Sequence, residues 1–243
     1  MPEDLYEKTV TLLKQSRNAV ALTGAGVSTE SGIPDFRGKD GLWSRYDPFE
    51  YGTIRAFLAD PEKIWQMLTG LLKITDAEPN TGHKGWATLE QKGLLNGIIT
   101  QNIDGLHQKG GSKNVVEFHG SLDTFSCLSC GENYSLAHVK QNPLPPHCAA
   151  CDAILKPDII FYDEHIPDKT FARSRELLAS ADLLLVAGTS CQTEPAARIP
   201  YYIQSNGGRI IEINKEPALN HLATVTLEEN FTTVVEKLVE LLG

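Results

Sequence analysis

The chain has 243 residues, 41% hydrophobic and 22% charged. This composition fits a globular protein of one large domain, or one domain carrying a small insert, and excludes disorder, collagen and coiled coil. The formal net charge of −9 argues against the basic footprint of a nucleic-acid binder. The longest strongly apolar stretch, 183–187, falls far short of the ~20 residues a membrane helix needs. The opening Met-Pro-Glu-Asp has no basic segment leading into an apolar run, so a cytoplasmic protein with no membrane partner is expected.

In chain order, Leu5, Val10 and Leu13 recur at helical spacing and predict a helix over 5–17 that Asp4 can cap. Residues 19–22 read as a buried strand running straight into Thr23-Gly24-Ala25-Gly26. Asp60-Pro61 opens a helix that continues through Trp65 to residue 74. A further helix is expected over 83–92, then strands at 97–100 and 115–118. After an interruption from 121 to about 156 come a helix over 171–179, a strand at 183–187, a helix from Pro195 and a strand at 209–213. Val234, Val235, Leu238 and Leu242 share one face of a closing helix over 231–242. This alternation predicts an α/β class with a Rossmann-like parallel sheet and helices on both faces.

The interruption carries Cys127, Cys130, Cys148 and Cys151, two pairs with two residues inside each pair and seventeen between them. Each short pair can grip one ion, and two pairs complete a tetrahedron around zinc. Gly131 after one pair and Pro143, Pro145 and Pro146 before the other suit the turns required. Four thiolates leave no open position for water or substrate, so the expected zinc is structural. The expected organisation is a large domain, 1–122 with 156–243, and a small zinc-ribbon-like module at 123–155. Cys191 stands apart and reads as an apolar filler.

Open parallel sheets bind ligands beyond the carboxyl ends of their strands. There Gly24-Ala25-Gly26-Val27-Ser28 can bring backbone close to a pyrophosphate and offer the N–H groups of a following helix. Thr29 stands where the dinucleotide fingerprint has its third glycine, and the acid expected about twenty residues on is missing. A tight structural turn therefore explains the glycines equally well.

Longer segments carry more. Gly24-Ala25-Gly26-Val27-Ser28-Thr29-Glu30-Ser31-Gly32-Ile33-Pro34-Asp35-Phe36-Arg37 resembles the signature of the sirtuins, NAD-dependent protein-lysine deacylases. Thr100-Gln101-Asn102-Ile103-Asp104 resembles their second signature and Phe118-His119-Gly120 their histidine segment. Further matches follow in order: the cysteine quartet, Lys156-Pro157-Asp158 with Phe161, Gly188-Thr189-Ser190, Pro195-Ala196-Ala197 and Ile213-Asn214. Together they span 23–214.

The resemblance implies NAD as cofactor, one zinc ion, and an acylated lysine of a protein or peptide as substrate. It implies that Gly24, Ala25, Gly26, Ser28, Ile33, Asp35, Phe36 and Arg37 hold the cofactor, within a binding loop and helical insert at 33–75. Gln101, Asn102, Ile103 and Asp104 would surround nicotinamide and its ribose, with Asn102 and Asp104 also catalytic. Gly188, Thr189, Ser190, Asn214 and, by position, Lys215 would line the adenosine half. His119 is the implied general base, an imidazole able to take a proton from a ribose hydroxyl near neutral pH. In the implied chemistry the acyl oxygen attacks the nicotinamide ribose carbon and nicotinamide leaves. The acyl group ends on ADP-ribose and lysine is freed. A protein ADP-ribosyltransferase or an NAD glycohydrolase would use the same pocket with a different acceptor.

Two positions depart from the family pattern. Tyr162-Asp163-Glu164 replaces the usual Phe-Gly-Glu of the peptide-binding loop, and Thr193 stands where an aliphatic residue is common. Asp is among the better replacements for glycine at positive φ. The peptide, with Ile160 and Phe161 as contacts, is expected to add as a strand between these loops. Sirtuins that prefer succinyl groups carry a Tyr and an Arg three residues apart; counting from Trp65, those positions are Leu68 and Leu71. A neutral acyl group, acetyl first, is expected.

Overall fold

The computed structural model describes residues 3–39 and 41–243. The first helix, α1 (Glu3–Gln15), turns Tyr6, Leu12 and Leu13 inward. It leads into β1 (Ala19–Thr23), which is buried on both faces. The next strands of the large sheet are β2 (Gly97–Thr100) and β3 (Val115–Glu117). A separate antiparallel sheet follows, β4 (Gly120–Ser126), β5 (Asn133–Ser135) and β6 (Lys156–Ile159). The chain then returns to the large sheet with β7 (Leu183–Ala187), β8 (Arg209–Ile213) and β9 (Val225–Leu227).

The large sheet is parallel throughout, in the order β3-β2-β1-β7-β8-β9. The strand order reverses between β1 and β7, and doubly wound sheets open their ligand crevice at that point. Alternate residues of β1 feed opposite layers. Ala19 and Ala21 join the cluster containing Leu12, Trp86, Phe231 and Val235, whereas Val20 and Leu22 join the one containing Leu177, Ile199 and Ile203. Helices therefore cover both faces, as the sequence pattern predicts.

Between β1 and β2 the chain forms α2 (Pro48–Tyr51), α3 (Ile54–Ala59), α4 (Pro61–Leu71) and α5 (Thr81–Gln91). The two shortest were not expected, because four and six residues show no helical period. Their starts are held by Asp47, which accepts from the Phe49 and Glu50 N–H groups, and by Thr53, which accepts from Ala56. The helix expected to reach residue 74 ends at Leu71 and tightens into a 3₁₀ stretch, Leu72–Asp76. The one-turn α6 (Leu106–Lys109) and α7 (Leu136–Lys140) precede α8 (Asp168–Leu178). The helix expected from Pro195 begins as a 3₁₀ turn, Ala196–Arg198, and becomes α9 (Ile199–Ser205) with Pro200 in its first turn. The closing helix is α10 (Phe231–Leu242).

A third apolar cluster joins the segment before α5 to the cysteine-rich one. Phe57, Ile64, Trp65 and Leu68 pack with Phe125, Cys127, Val139, Cys148 and Leu155. Trp65 also donates its indole N–H to the Leu155 carbonyl at 2.9 Å. The small sheet and the helices before α5 thus share one core above the large sheet. No helix among the described residues is long and apolar enough to cross a membrane.

Candidate active site

A cavity of about 730 Å³ opens beyond the carboxyl ends of β1, β2, β7 and β8 and is roofed by the helices and small sheet. It is lined by Gly24, Ala25, Gly26, Asp35, Phe36, Arg37, Gln101, Asn102, Ile103, His119, Gly188, Thr189, Ser190, Asn214 and Lys215. Ile160, Phe161 and Leu71 also line it. A second cavity of about 530 Å³ shares Ala25, Phe36, Met67, Leu71, Asn102 and Ile103 with the first and adds Ser28, Ile33 and Asp104. The residues implied by the sequence are thus brought together across ten parts of the chain, with one exception. Leu68 is buried in the third cluster and lines neither cavity; Met67 stands with Leu71 instead. Positions four apart share a helix face, and that face of α4 is the one turned to the cavities.

The floor is a buried hydrogen-bond network. Ser28 Oγ donates to Asp104 Oδ2 at 2.7 Å and accepts from Asn102 Nδ2 at 3.1 Å. Asp104 Oδ1 accepts from the Leu106 N–H at 2.9 Å. Burial raises the Asp104 carboxyl above its usual range, against the lowering effect of these donors. Behind it, His83 accepts from the Asn80 N–H through Nδ1, lies edge-on to His107, and is lowered to about 4 by burial. Gln101 sits at the end of β2, where its amide donates to the Thr23 carbonyl and to Thr189 Oγ1.

His119 leaves β3 toward the cavity. Its Nδ1 lies 3.1 Å from the Gln101 carbonyl. A carbonyl only accepts, so Nδ1 carries the proton and Nε2 keeps its lone pair. Burial lowers its pKa below the ordinary histidine value, the Gln101 carbonyl opposes this, and the Arg37 cation adds to the lowering. The lowering favours the neutral imidazole, the form that can act as a base. Gly120, next in the chain, takes φ +76°, and a side chain there would strike the Asp158 carbonyl.

The loop after β8 is shaped by Glu212, fully buried on β8, whose carboxylate accepts from the Ala218 and Leu219 N–H groups. Asn214 donates to the Thr189 carbonyl at 3.0 Å. Glu229, Asn230 and Phe231 also reach the first cavity and were missed from sequence. Only the start of an amphipathic helix marked them. Burial pushes the Cys191 thiol up to about 11, which suits a filler and not a nucleophile.

The four remaining cysteines place their sulfur atoms within 4.8 Å of one another. Two matching knuckles hold them, with the Gly131 N–H on the Cys127 carbonyl and the Asp152 N–H on the Cys148 carbonyl. Gly131 and Asp152 take positive φ at equivalent places. Four convergent thiolates suit zinc in a closed tetrahedral site.

The polar walls also suit a large polar cofactor. Ser31 Oγ and Asn230 Oδ1 are buried at the cavities without a hydrogen-bond partner among the described residues. The sheet, its switch-point cavity and the closed cysteine site define a Rossmann-like dinucleotide-binding protein with a structural metal module. Residues 24–195 match the model of the Sir2 family, and the chain belongs to that family. The NAD-dependent protein deacylase 1 of Archaeoglobus fulgidus is 42% identical, over 96% of this chain and 96% of its own. A solved Sir2 homolog–NAD complex superposes with a TM-score of 0.90 at 41% identity, covering 97% of this chain and 93% of that one. A Sir2 complex with deacetylated p53 peptide and 3′-O-acetyl ADP ribose gives 0.92 at 33% identity, covering 96% and 97%.

Proposed function

We propose that this protein removes acyl groups, acetyl first among them, from lysine side chains of proteins, consuming NAD and releasing nicotinamide, free lysine and O-acyl-ADP-ribose. The observation that carries the reading is the placement of His119, its Nδ1 held by the Gln101 carbonyl, in a cavity that also contains the glycine segment and Phe161. NAD supplies the ribose that accepts the acyl group and the nicotinamide that leaves. Gly24, Ala25, Gly26, Asp35, Phe36 and Arg37 would hold its phosphates and cover it. Gly188, Thr189, Ser190, Asn214 and Lys215 would take the adenosine half. Gln101, Asn102, Ile103 and Asp104, with Ser28 and Ile33, would enclose nicotinamide and its ribose.

His119 Nε2, the ring nitrogen not held by Gln101, would take the proton of a ribose hydroxyl. Asn102 and Asp104, held by Ser28, provide fixed dipole and charge where positive charge develops on the sugar, so they need not reorganise during reaction. Ile160 and Phe161 form the wall against which an acylated peptide would lie. Cys127, Cys130, Cys148 and Cys151 would hold zinc as a staple for a segment too small to bury its own core. Five unpaired cysteines support a reducing, cytoplasmic setting.

The test is incubation with NAD and an acetyl-lysine peptide, followed by mass spectrometry. Nicotinamide, free lysine and O-acetyl-ADP-ribose in equal amounts are expected. ADP-ribosylated protein, or ADP-ribose formed without peptide, would overturn the reading.

A further inference from the structure

Lys156 is a buried charge that the chemistry above does not use. Its side chain is 5% exposed and its ammonium is fully partnered: Pro157 O at 3.1 Å, Ile159 O at 2.9 Å and Glu164 Oε1 at 3.0 Å. An ammonium has three donors, and all three are taken. The second carboxylate oxygen, Glu164 Oε2, accepts from the Phe161 N–H at 2.9 Å. The Glu164 N–H in turn donates to the Phe161 carbonyl at 3.1 Å, closing a β-turn over 161–164. Asp163 takes φ +62° in this turn, at the place where a type II turn favours Gly or Asn.

We propose that Lys156 and Glu164 are positioning residues for the acyl-peptide: the ion pair staples this turn so that Ile160 and Phe161 present a preformed wall to the substrate. The inference rests on the deacylase reading and adds to it the device that sets peptide affinity. Three consecutive N–H groups show how the staple acts. Those of Ile160 and Tyr162 go to main-chain carbonyls, of His119 at 2.8 Å and Gly52 at 2.8 Å. Phe161 alone depends on a side chain, and Lys156 holds that side chain in place. The Phe161 ring is fixed from two more sides, by Phe57 at 5.6 Å between centroids and by the Lys156 ammonium at 5.1 Å. Asp163 leaves the glycine conformation in place but adds a side chain at the tip, so the staple must hold a less accommodating turn.

The glycine segment and the Asn214 loop stand on the large sheet, on chain segments that the pair does not touch. Breaking the pair therefore loosens the peptide wall and leaves cofactor contacts intact. That separates this role from general stabilisation, which would move both.

The experiment uses the full chain and measures KM for acetyl-lysine peptide and for NAD in Glu164→Gln, Lys156→Met, the double variant and Lys156→Arg. ADP-ribose affinity by calorimetry and thermal unfolding are read on the same samples. Glu164→Gln and Lys156→Met are expected to raise the peptide KM about tenfold while the NAD KM stays within about twofold, the split that marks loss of substrate binding alone. Lys156→Arg keeps the charge and is expected to restore the peptide KM to within about threefold of wild type. A single variant that leaves a buried charge unpaired can fail to fold; if it loses ADP-ribose binding, the double variant, with neither charge, decides. Unchanged peptide KM in a folded variant, a joint rise of both KM values, or a double variant that does not fold would each overturn the inference. An active wild type with unchanged variants overturns only this inference. A wild-type chain that releases no nicotinamide overturns the functional reading and this inference with it.

Discussion

Gly26 and Gly188 meet backbone to backbone where β1 and β7 end. The Gly26 N–H donates to the Gly188 carbonyl at 2.9 Å, and a Cβ on Gly26 would lie 2.7 Å from Gly188 Cα. Main chain cannot give way as a flexible side chain can. Gly26→Ala is expected to cost about 2 kcal/mol of stability, in the range of overpacked sites. Because both loops line the cavity, it should also weaken ADP-ribose binding. Denaturant unfolding and calorimetry on the variant check both effects.

The lowered pKa of His119 sets the acid side of the pH profile. Only the neutral imidazole accepts a proton, and a lowered pKa keeps it neutral to lower pH. The acid limb of kcat/KM should therefore fall below the ordinary histidine value of ~6.5. Arg37→Gln removes a cation that contributes to the lowering, so the limb should move up in pH when peptide is varied at saturating NAD. His119→Ala should lose deacylation and keep ADP-ribose affinity. Near-wild-type turnover in that variant would remove His119 from its role.

The strands β2, β7 and β8 were legible to the residue, because buried parallel strands are short, mostly apolar runs, and β8 keeps that pattern despite its buried Glu212. The residues that line the cavities were legible through long ordered segments, and Asp163 takes φ +62°, a conformation in which Asp is among the better replacements for glycine. Besides the two short helices and the Glu229–Phe231 lining, three further features were not legible. β9 has only Val225 and Leu227 buried, too short a pattern to separate from loop. The Gly24–Gly26 turn opens a 3₁₀ stretch, Ala25–Ser31, in place of the expected helix, since its glycines answer to Gly188 across the sheet. The orientation of α4 depends on tertiary packing, so counting from Trp65 selected Leu68 where the cavity takes Met67.

Acid should destabilise the fold through His83. Its folded pKa of about 4 lies below the unfolded value of ~6.5, so the unfolded chain binds more protons between the two. The stability is fully present above about pH 6.5 and is lost as pH falls toward 4, by on the order of 3 kcal/mol at the limit. Burial also lowers His107, at 4.9 Å between ring centroids, well below its usual value, and the neighbouring His83 adds to this. Guanidinium unfolding between pH 4 and 7.5 should show this slope, and His83→Gln should flatten it. An unchanged slope in the variant would show that His83 does not set it.

The zinc staple should matter to the whole small lobe. Cys127 and Cys148 belong to the same apolar cluster as Trp65 and Phe125, whose rings stack at 6.1 Å. Elemental analysis should give one zinc per chain. Cys127→Ser should lose that zinc, the near-ultraviolet signal of Trp65 and several degrees of thermal stability together, since ~1 kcal/mol is worth about 2–4 °C at this size. Retention of full thermal stability after the metal is stripped would count against a structural ion.

The acyl group removed should be neutral. Met67 and Leu71, one helical turn apart, line both cavities, with Leu42 and Ile103 beside them. The cations of the first cavity, Arg37 and Lys215, are those assigned to the cofactor side, and those of the second, Arg45 and Lys73, are exposed at its rim. An acid-tipped chain lying along Met67 and Leu71 would bury a carboxylate with no buried cation as partner, which costs roughly 3 kcal/mol or more when the charge stays unpaired. Each methylene of an apolar chain would instead gain ~0.8 kcal/mol on burial. Acetyl, butyryl, myristoyl and succinyl forms of one peptide should therefore rank with succinyl last in kcat/KM. Leu71→Arg with Met67→Tyr places a guanidinium and a phenol on the cavity-facing side of α4, and should raise succinyl turnover while lowering butyryl turnover. The same change at Leu68 should destabilise the fold without that gain, because Leu68 is 1% exposed within the third cluster. A wild-type preference for succinyl would refute the assignment of this wall.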